Sequence, residues 1–230
     1  MERVRNNEMK AFIFDLDGTL LNTIEDITDS VNYILTKYAY EPLPVETVNQ
    51  YVGNGLRRLL IRCVPEGEDN VDFEQMYKEF VPYYAEHSLI KTRPYEGILP
   101  LLEELKKRGI EMAIVTNKNV TAAKRLNEQL FQQYIPVIIG EDEAHGVHKK
   151  PNPDMVFAAM KELHVTQEDA VYIGDSEVDV ATALNVGLPC VSVAWGFRTR
   201  QQQMEAGATV FAKKPGDLLQ FINKTPADFQ

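Results

Sequence analysis

Cysteine is nearly missing from this chain: 230 residues contain two, Cys63 and Cys190, far apart and in no CxxC pair. That argues against a disulfide framework, fits a reducing compartment, and leaves both thiols to pack as small hydrophobes. Positive charge is in deficit, with 24 Lys and Arg against 34 Asp and Glu and a net charge of -10. Such a surface argues against nucleic acid as the main partner and against anionic membranes, while leaving room for a small local basic site. No apolar run reaches transmembrane length. The run that follows the polar "MERVRNNEMK" is too short for a signal peptide, so the sequence reads as cytoplasmic. Internal repeats and low-complexity tracts are absent, and a charged fraction of 25% with 44% hydrophobic residues leaves no case for disorder.

What is present has a rhythm. Five short apolar runs read as strands: "KAFIFD", "EMAIVTN" (Glu111–Asn117), "YIPVIIG" (Tyr134–Gly140), "AVYIGD" (Ala170–Asp175) and "PCVSVAW" (Pro189–Trp195). None alternates cleanly, as expected of strands covered on both faces. Helical patterns lie between them, including "ILPLLEELKKRG", "NVTAAKRLNEQLF", "PDMVFAAMKELHV" and "EVDVATALNVG". The alternation predicts an α/β fold with a Rossmann-like parallel-sheet core and helices on both faces. One stretch is purely helical. Thr23 with Asp26 predicts a capping box, Ile24, Ile27, Val31, Ile34, Leu35 and Tyr38 recur at helical spacing, and "EPLP" breaks that helix at Glu41–Pro44. The expected division is a core of residues 1–21 and 92–230 with an all-helical insert at 22–91.

Polar residues fall where these strands end. The first run ends in Asp15-Leu16-Asp17, the second in Thr116-Asn117, and the fourth in Gly174-Asp175 with Asp179 four residues on. In an open parallel sheet the strand C-termini share one edge, where ligands bind. Asp15, Thr116 and Asp175 are therefore expected to meet. Two unit charges about 4 Å apart cost roughly 4 kcal/mol at an effective dielectric near 20. A proton or a metal must relieve the cluster, and Mg²⁺ with a substrate phosphate is the natural occupant. Thr116 can offer a hydroxyl to that phosphate. "HKKPNPD" can offer a lysine from a loop stiffened by Pro151 and Pro153.

Four motifs in order, "DLDGT" (Asp15–Thr19), "VTN" with Thr116, "KPNP" with Lys150, and "GDSEVD" with Asp175 and Asp179, resemble the haloacid dehalogenase superfamily of phosphohydrolases. The resemblance spans essentially the whole chain, and the helical insert falls where that family places its type-one cap. It implies that Asp15 is a nucleophile forming an aspartyl-phosphate and that Asp17 is the general acid and base. Gly18 and Thr19 would shape that loop. Thr116 and Lys150, with backbone groups near Leu16 and Asn117, would bind the phosphoryl group. Asp15, the Asp17 carbonyl and Asp175 would hold Mg²⁺, with Asp179 supporting the metal directly or by orienting Lys150. Dehalogenating relatives resemble "DxYGT" and lack the second acid, so Asp17 favours phosphoryl chemistry.

The segments "LLNTIEDI", "YVGNGLRRLL" and "VAWGFR" resemble the phosphoglycolate phosphatase branch, although Asn22 stands where that branch carries an acid. The implied function is a Mg²⁺-dependent phosphatase of small phosphorylated substrates, with 2-phosphoglycolate leading. A pyrophosphatase and a β-phosphoglucomutase-like mutase are alternatives on the same scaffold. A phosphoacceptor domain or a catalytically silent binding protein is the alternative of another class. Monomer and homodimer both remain open.

Other features have weaker claims. "VGNGL" with Asn54 could cradle an anion or simply start a helix. Arg57 could meet a substrate carboxylate or lie on a solvated face. His145 and His148, near Glu141, Asp142 and Glu143, read as a polar loop rather than a metal site. Phe73, Tyr77, Phe80 and Tyr84 read as the core of the insert.

Overall fold

A computed structural model describes residues 9–142 and 145–229. In chain order the strands and α-helices are β1 (Ala11–Phe14), β2 (Leu21–Asn22), α1 (Ile24–Lys37), α2 (Val45–Tyr51), α3 (Leu56–Cys63), α4 (Phe73–His87), β3 (Arg93–Pro94), α5 (Ile98–Lys107), β4 (Glu111–Asn119), α6 (Val120–Leu130), β5 (Val137–Glu141), α7 (Asp154–Leu163), β6 (Ala170–Gly174), α8 (Glu177–Val186), β7 (Cys190–Val193), α9 (Arg200–Glu205) and β8 (Phe211–Ala212). Six strands form a parallel sheet in the order β5-β4-β1-β6-β7-β8.

Side-chain alternation on β1 shows why its run is apolar throughout. Phe12 and Phe14 pack on one face with Leu101, Leu102 and Leu105 of α5 and Leu126 of α6. Ala11 and Ile13 pack on the other with Met155, Val156 and Ala159 of α7 and Ala183 and Val186 of α8. Truncating a buried aromatic such as Phe14 in this layer is expected to cost about 3–5 kcal/mol. With β4 and β6 as its neighbours, β1 delivers Asp15 to the middle of the C-terminal sheet edge.

Helices α1–α4 lie between β2 and β3 and bury a separate cluster. It includes Val31, Ile34 and Leu35 of α1, Leu60 of α3, and Phe73, Phe80 and Tyr84 of α4. The short antiparallel ribbon β2–β3 ties together the two chain segments that lead into and out of these helices.

Several expectations change. Strand β8 escapes the pattern because two residues at a sheet edge show no period. Helix α1 ends at Lys37, before "EPLP", where Ala39 adopts a left-handed φ of 62° and the Tyr40 N–H closes onto the Leu35 carbonyl. The capping box does not form. Thr23 makes no side-chain cap bond, and the Asp26 carboxylate instead accepts from the backbone N–H groups of Lys91 (2.9 and 3.0 Å) and Thr92 (2.8 Å). An ionised acceptor serves those two donors well where the chain turns back toward the sheet. No helix among the described residues is long and apolar enough to cross a membrane.

Candidate active site

Gly18 sits in the first strand-end loop with φ +94°, a conformation that suits a residue without Cβ. A Cβ there would lie 2.5 Å from Asp175 Oδ2, and one on Gly196 would lie 2.2 Å from the Asp175 Cβ. Asp175 is thus sandwiched between two glycines. Its Oδ1 accepts from the Thr19 hydroxyl (3.2 Å) and its Oδ2 from the Phe197 backbone N–H (2.7 Å). Gly18 and Thr19 therefore support Asp175 and do not themselves line the cavity.

Ligand oxygens of Asp15, Asp175 and Asp179 all lie within 4.8 Å of one another, and all three residues are buried. Lys150 Nζ enters this cluster, donating to Asp15 Oδ1 (2.6 Å), Asp179 Oδ1 (2.7 Å) and the Tyr172 hydroxyl (3.0 Å). Burial alone would push the Lys150 ammonium down, but Asp15 and Asp179 hold it well above its ordinary value. Burial also works to raise Asp179, yet Lys150 and the Ser176 donors keep it below the usual carboxylate range. Asp15 is pushed well up by burial, which outweighs the opposing pull of Lys150. Asp175 is pushed up to about 7 by burial and then by Asp179. One lysine does not compensate three carboxylates, and this set of oxygen donors fits a hard divalent cation.

Asp179 differs from the other two. Its Oδ2 accepts from the Asp175 N–H (3.2 Å) and from the Ser176 N–H (3.0 Å) and hydroxyl (2.6 Å), while its Oδ1 faces Lys150 and Tyr172. It is at once the first-turn cap of α8 and the brace of Lys150.

These groups open on a cavity of about 70 Å³ lined by Asp15, Asp17, Thr116, Asn117, Lys150 and Asp175 from the sheet edge. Ile27, Val52, Gly53, Leu56, Leu59 and Tyr84 cover it from the helical insert. Thr116 reaches it from β4, where the register against β5 shifts between Thr116 and Asn119. Asn117 braces both sides: its amide donates to the Gly53 carbonyl (3.1 Å) and the Lys150 carbonyl (3.2 Å), and its oxygen accepts from the Lys150 N–H (2.7 Å).

Two residues singled out in the insert are not brought to the site. Arg57 donates to Glu68 (2.8 Å) and Glu74, and its guanidinium stands over the buried Phe73 ring, 5.0 Å from the centroid. Neither Arg57 nor Asn54 lines the cavity. His145 and His148 pair locally with Asp142 (2.8 Å) and Asp154 (2.9 Å). Glu143, named with them, lies outside the described residues.

Sequence reasoning overlooked three cavity residues. Lys118 is buried and its Nζ stands 2.7 Å from the Tyr84 hydroxyl and 3.1 Å from Asp17 Oδ2. Its place directly after "VTN", on the same sheet edge, was the available signal. Tyr84 belongs to the insert's core as expected, but its hydroxyl reaches across to the sheet. Arg198 donates to the Asn49 carbonyl (2.9 Å), the Val52 carbonyl (2.7 Å) and Glu177 (2.9 Å), capping the C-terminal end of α2. "VAWGFR" contained it, but no local pattern announces a side chain that spans two parts of a fold.

Known proteins carry the same organisation. The chain is 33% identical over 217 residues to phosphoglycolate phosphatase 1 of Pseudomonas aeruginosa, covering 91% of this chain and 78% of that one. It is 27% identical over 230 residues to the N-acetylmuramic acid 6-phosphate phosphatase of the same organism, covering 99% and 100%. A crystal structure of a candidate phosphoglycolate phosphatase from Lactobacillus delbrueckii subsp. bulgaricus superposes with a TM-score of 0.88 at 33% identity, covering 94% of this chain and 98% of that one. Residues 12–193 match the family model of haloacid dehalogenase-like hydrolases, and with the strand-end aspartates and Lys150 gathered at one sheet edge, the chain belongs to that family.

Proposed function

We propose that this chain is a Mg²⁺-dependent phosphatase of small phosphomonoesters, with 2-phosphoglycolate as leading substrate. The observation that carries the reading is the convergence of Asp15, Asp175 and Lys150 on a cavity between the sheet edge and the helical insert. The likeness to a named phosphoglycolate phosphatase, at 33% identity against 27% for the N-acetylmuramic acid 6-phosphate phosphatase, supports the substrate. Residues 22–91 act as the cap and residues 1–21 and 92–230 as the catalytic core, a division supported by the separate cluster under α1–α4. Two unpaired cysteines, both pushed up to about 12 by burial, suit a cytoplasmic setting in which neither thiol is reactive.

The chemistry divides between the two acids of the first loop. An Asp15 oxygen attacks phosphorus while the ester P–O bond breaks, and Asp17 gives a proton to the departing alcohol oxygen. A water then attacks the aspartyl-phosphate, Asp17 takes its proton, and the bond from phosphorus to Asp15 breaks to release inorganic phosphate. Thr116 and Lys150 neutralise and orient the phosphoryl oxygens. Asp15, Asp175 and the Asp17 carbonyl would hold Mg²⁺, which supplies positive charge against the entering phosphate. Asp179, whose oxygens are engaged by Ser176, Lys150 and Tyr172, orients Lys150.

The test is Asp15→Asn with 2-phosphoglycolate and Mg²⁺. Phosphate release is expected to vanish while the melting temperature holds. Turnover persisting in that variant would remove Asp15 as nucleophile. A higher kcat/KM for hexose phosphates than for 2-phosphoglycolate in the unmodified enzyme would overturn the substrate.

A further inference from the structure

Asp17 is held by one oxygen only. Its Oδ2 pairs with Lys118, while its Oδ1 is buried with no hydrogen-bond partner among the described residues, and the residue lines the cavity. An orphaned buried carboxylate oxygen is costly, and in a site that handles a leaving group it is the atom free to carry the proton. Lys118 can donate to Oδ2 whether or not Oδ1 is protonated, so its hold survives both halves of the reaction.

Lys118 is itself aimed from the helical insert. The Tyr84 hydroxyl of α4 takes its ammonium at 2.7 Å, and the ammonium stands 4.8 Å from the centroid of the same ring. Desolvating an ammonium costs several kcal/mol unless it is paired. Burial works to lower Lys118, yet Asp17 and Tyr84 together hold it above its ordinary value. In this chain of contacts Asp17 and Lys118 come from the sheet edge and Tyr84 from the helical insert. Resting on the reading of Asp17 as acid and base, we propose that Lys118, braced by Tyr84, is a positioning residue that aims Asp17 Oδ1 at the leaving oxygen, so that proton transfer depends on a side chain of the helical insert.

Leaving groups separate this role from a structural one. Glycerol phosphate departs as an aliphatic alcohol and needs the proton, whereas p-nitrophenyl phosphate departs as a stable phenolate and does not. Values of kcat/KM report the chemistry up to the first irreversible step. Lys118→Met is expected to lower kcat/KM by about 30-fold with glycerol phosphate and by less than about threefold with p-nitrophenyl phosphate, a fraction of the 10²–10⁴ of acid–base catalysis. Tyr84→Phe, which deletes one oxygen and preserves the packing, is expected to show the same contrast at about fivefold. Equal losses with both substrates in variants that melt like the parent would overturn the inference. So would a Lys118→Met loss confined to 2-phosphoglycolate, which would make Lys118 a contact for the substrate carboxylate. Asp17→Asn keeps the two levels apart. If it shows the leaving-group contrast and Lys118→Met and Tyr84→Phe do not, only the positioning role fails. If Asp17→Asn shows no contrast, the acid assignment itself fails.

Discussion

Replacing Lys150 with Met leaves Asp15 and Asp179 without the cation that now stands 2.6 and 2.7 Å from them. Removing one partner of a buried ion pair costs about 3–5 kcal/mol. Protonation sets a ceiling on that cost. If one carboxyl with an unfolded-state value near 4 must keep its proton at pH 7.5, the penalty is roughly 3.5 units at 1.36 kcal/mol each, about 5 kcal/mol. The sign follows from linkage. In the variant the folded state holds a proton that the unfolded chain has released, so stability falls as pH rises, by up to about 1.4 kcal/mol per unit. Between pH 5 and 7.5 the loss is then about 3 kcal/mol.

In the parent, Asp15 and Asp175, pushed up by burial, already lower stability as pH rises, so the variant's slope is read against the parent's, while Asp179 runs the other way. Lys150 and Ser176 hold it low against burial, so its contribution is present above the ordinary carboxylate value and is lost only as pH falls through the depressed one. Urea unfolding without divalent cations at pH 5.0 and 7.5, followed by circular dichroism, measures both. Mg²⁺ at pH 7.5 is expected to return part of the loss in Lys150→Met, because a divalent cation can take over the compensation. A variant as stable as the parent at pH 7.5, or one whose stability falls with rising pH no more steeply than the parent's, would refute the electrostatic account of this cluster.

Two further outcomes follow from contacts that link the insert to the sheet. Asp26→Ala strips the acceptor from the Lys91 and Thr92 N–H groups and is expected to cost about 2–4 kcal/mol in urea unfolding, at roughly 1–2 kcal/mol per abandoned donor. Asp26→Asn, which keeps an acceptor, should recover more than half of it. Arg198→Met removes the donors to the Asn49 and Val52 carbonyls, and limited proteolysis should then cut near residues 49–55 at least about fivefold faster, since an opening made about 1 kcal/mol easier raises the exposed population by that factor. An unchanged cleavage rate would show that Arg198 does not hold this segment closed.

The core was legible because its signals are local. Apolar runs such as Ala11–Phe14 announce strands buried on both faces, and the rule that parallel strands share one C-terminal edge is enough to bring Asp15, Thr116 and Asp175 together. Local signals misled where a side chain had two uses for the same chemistry. Asp26 stands at capping-box spacing from Thr23, yet its carboxylate accepts from two N–H groups some 65 residues away, where one acceptor serves both donors of the turn back toward the sheet. Arg57 looked available for a substrate, but its guanidinium is taken by Glu68 and Glu74 and it does not line the cavity.

By itself, then, the chain's order of residues determined the sheet, the presence of a helical insert, and which acids, threonine and lysine crowd the strand ends, since period and position are properties of neighbouring residues. Only the tertiary structure decided how each is deployed. It separated Asp179, whose oxygens are engaged by Ser176, Tyr172 and Lys150, from Asp15 and Asp175, and it left Asp17 with one oxygen held by Lys118 and one with no partner among the described residues. It also brought Tyr84 from the insert and Arg198 from beyond the last long strand to the same cavity. Those contacts depend on distances between elements far apart in sequence, which no local pattern encodes.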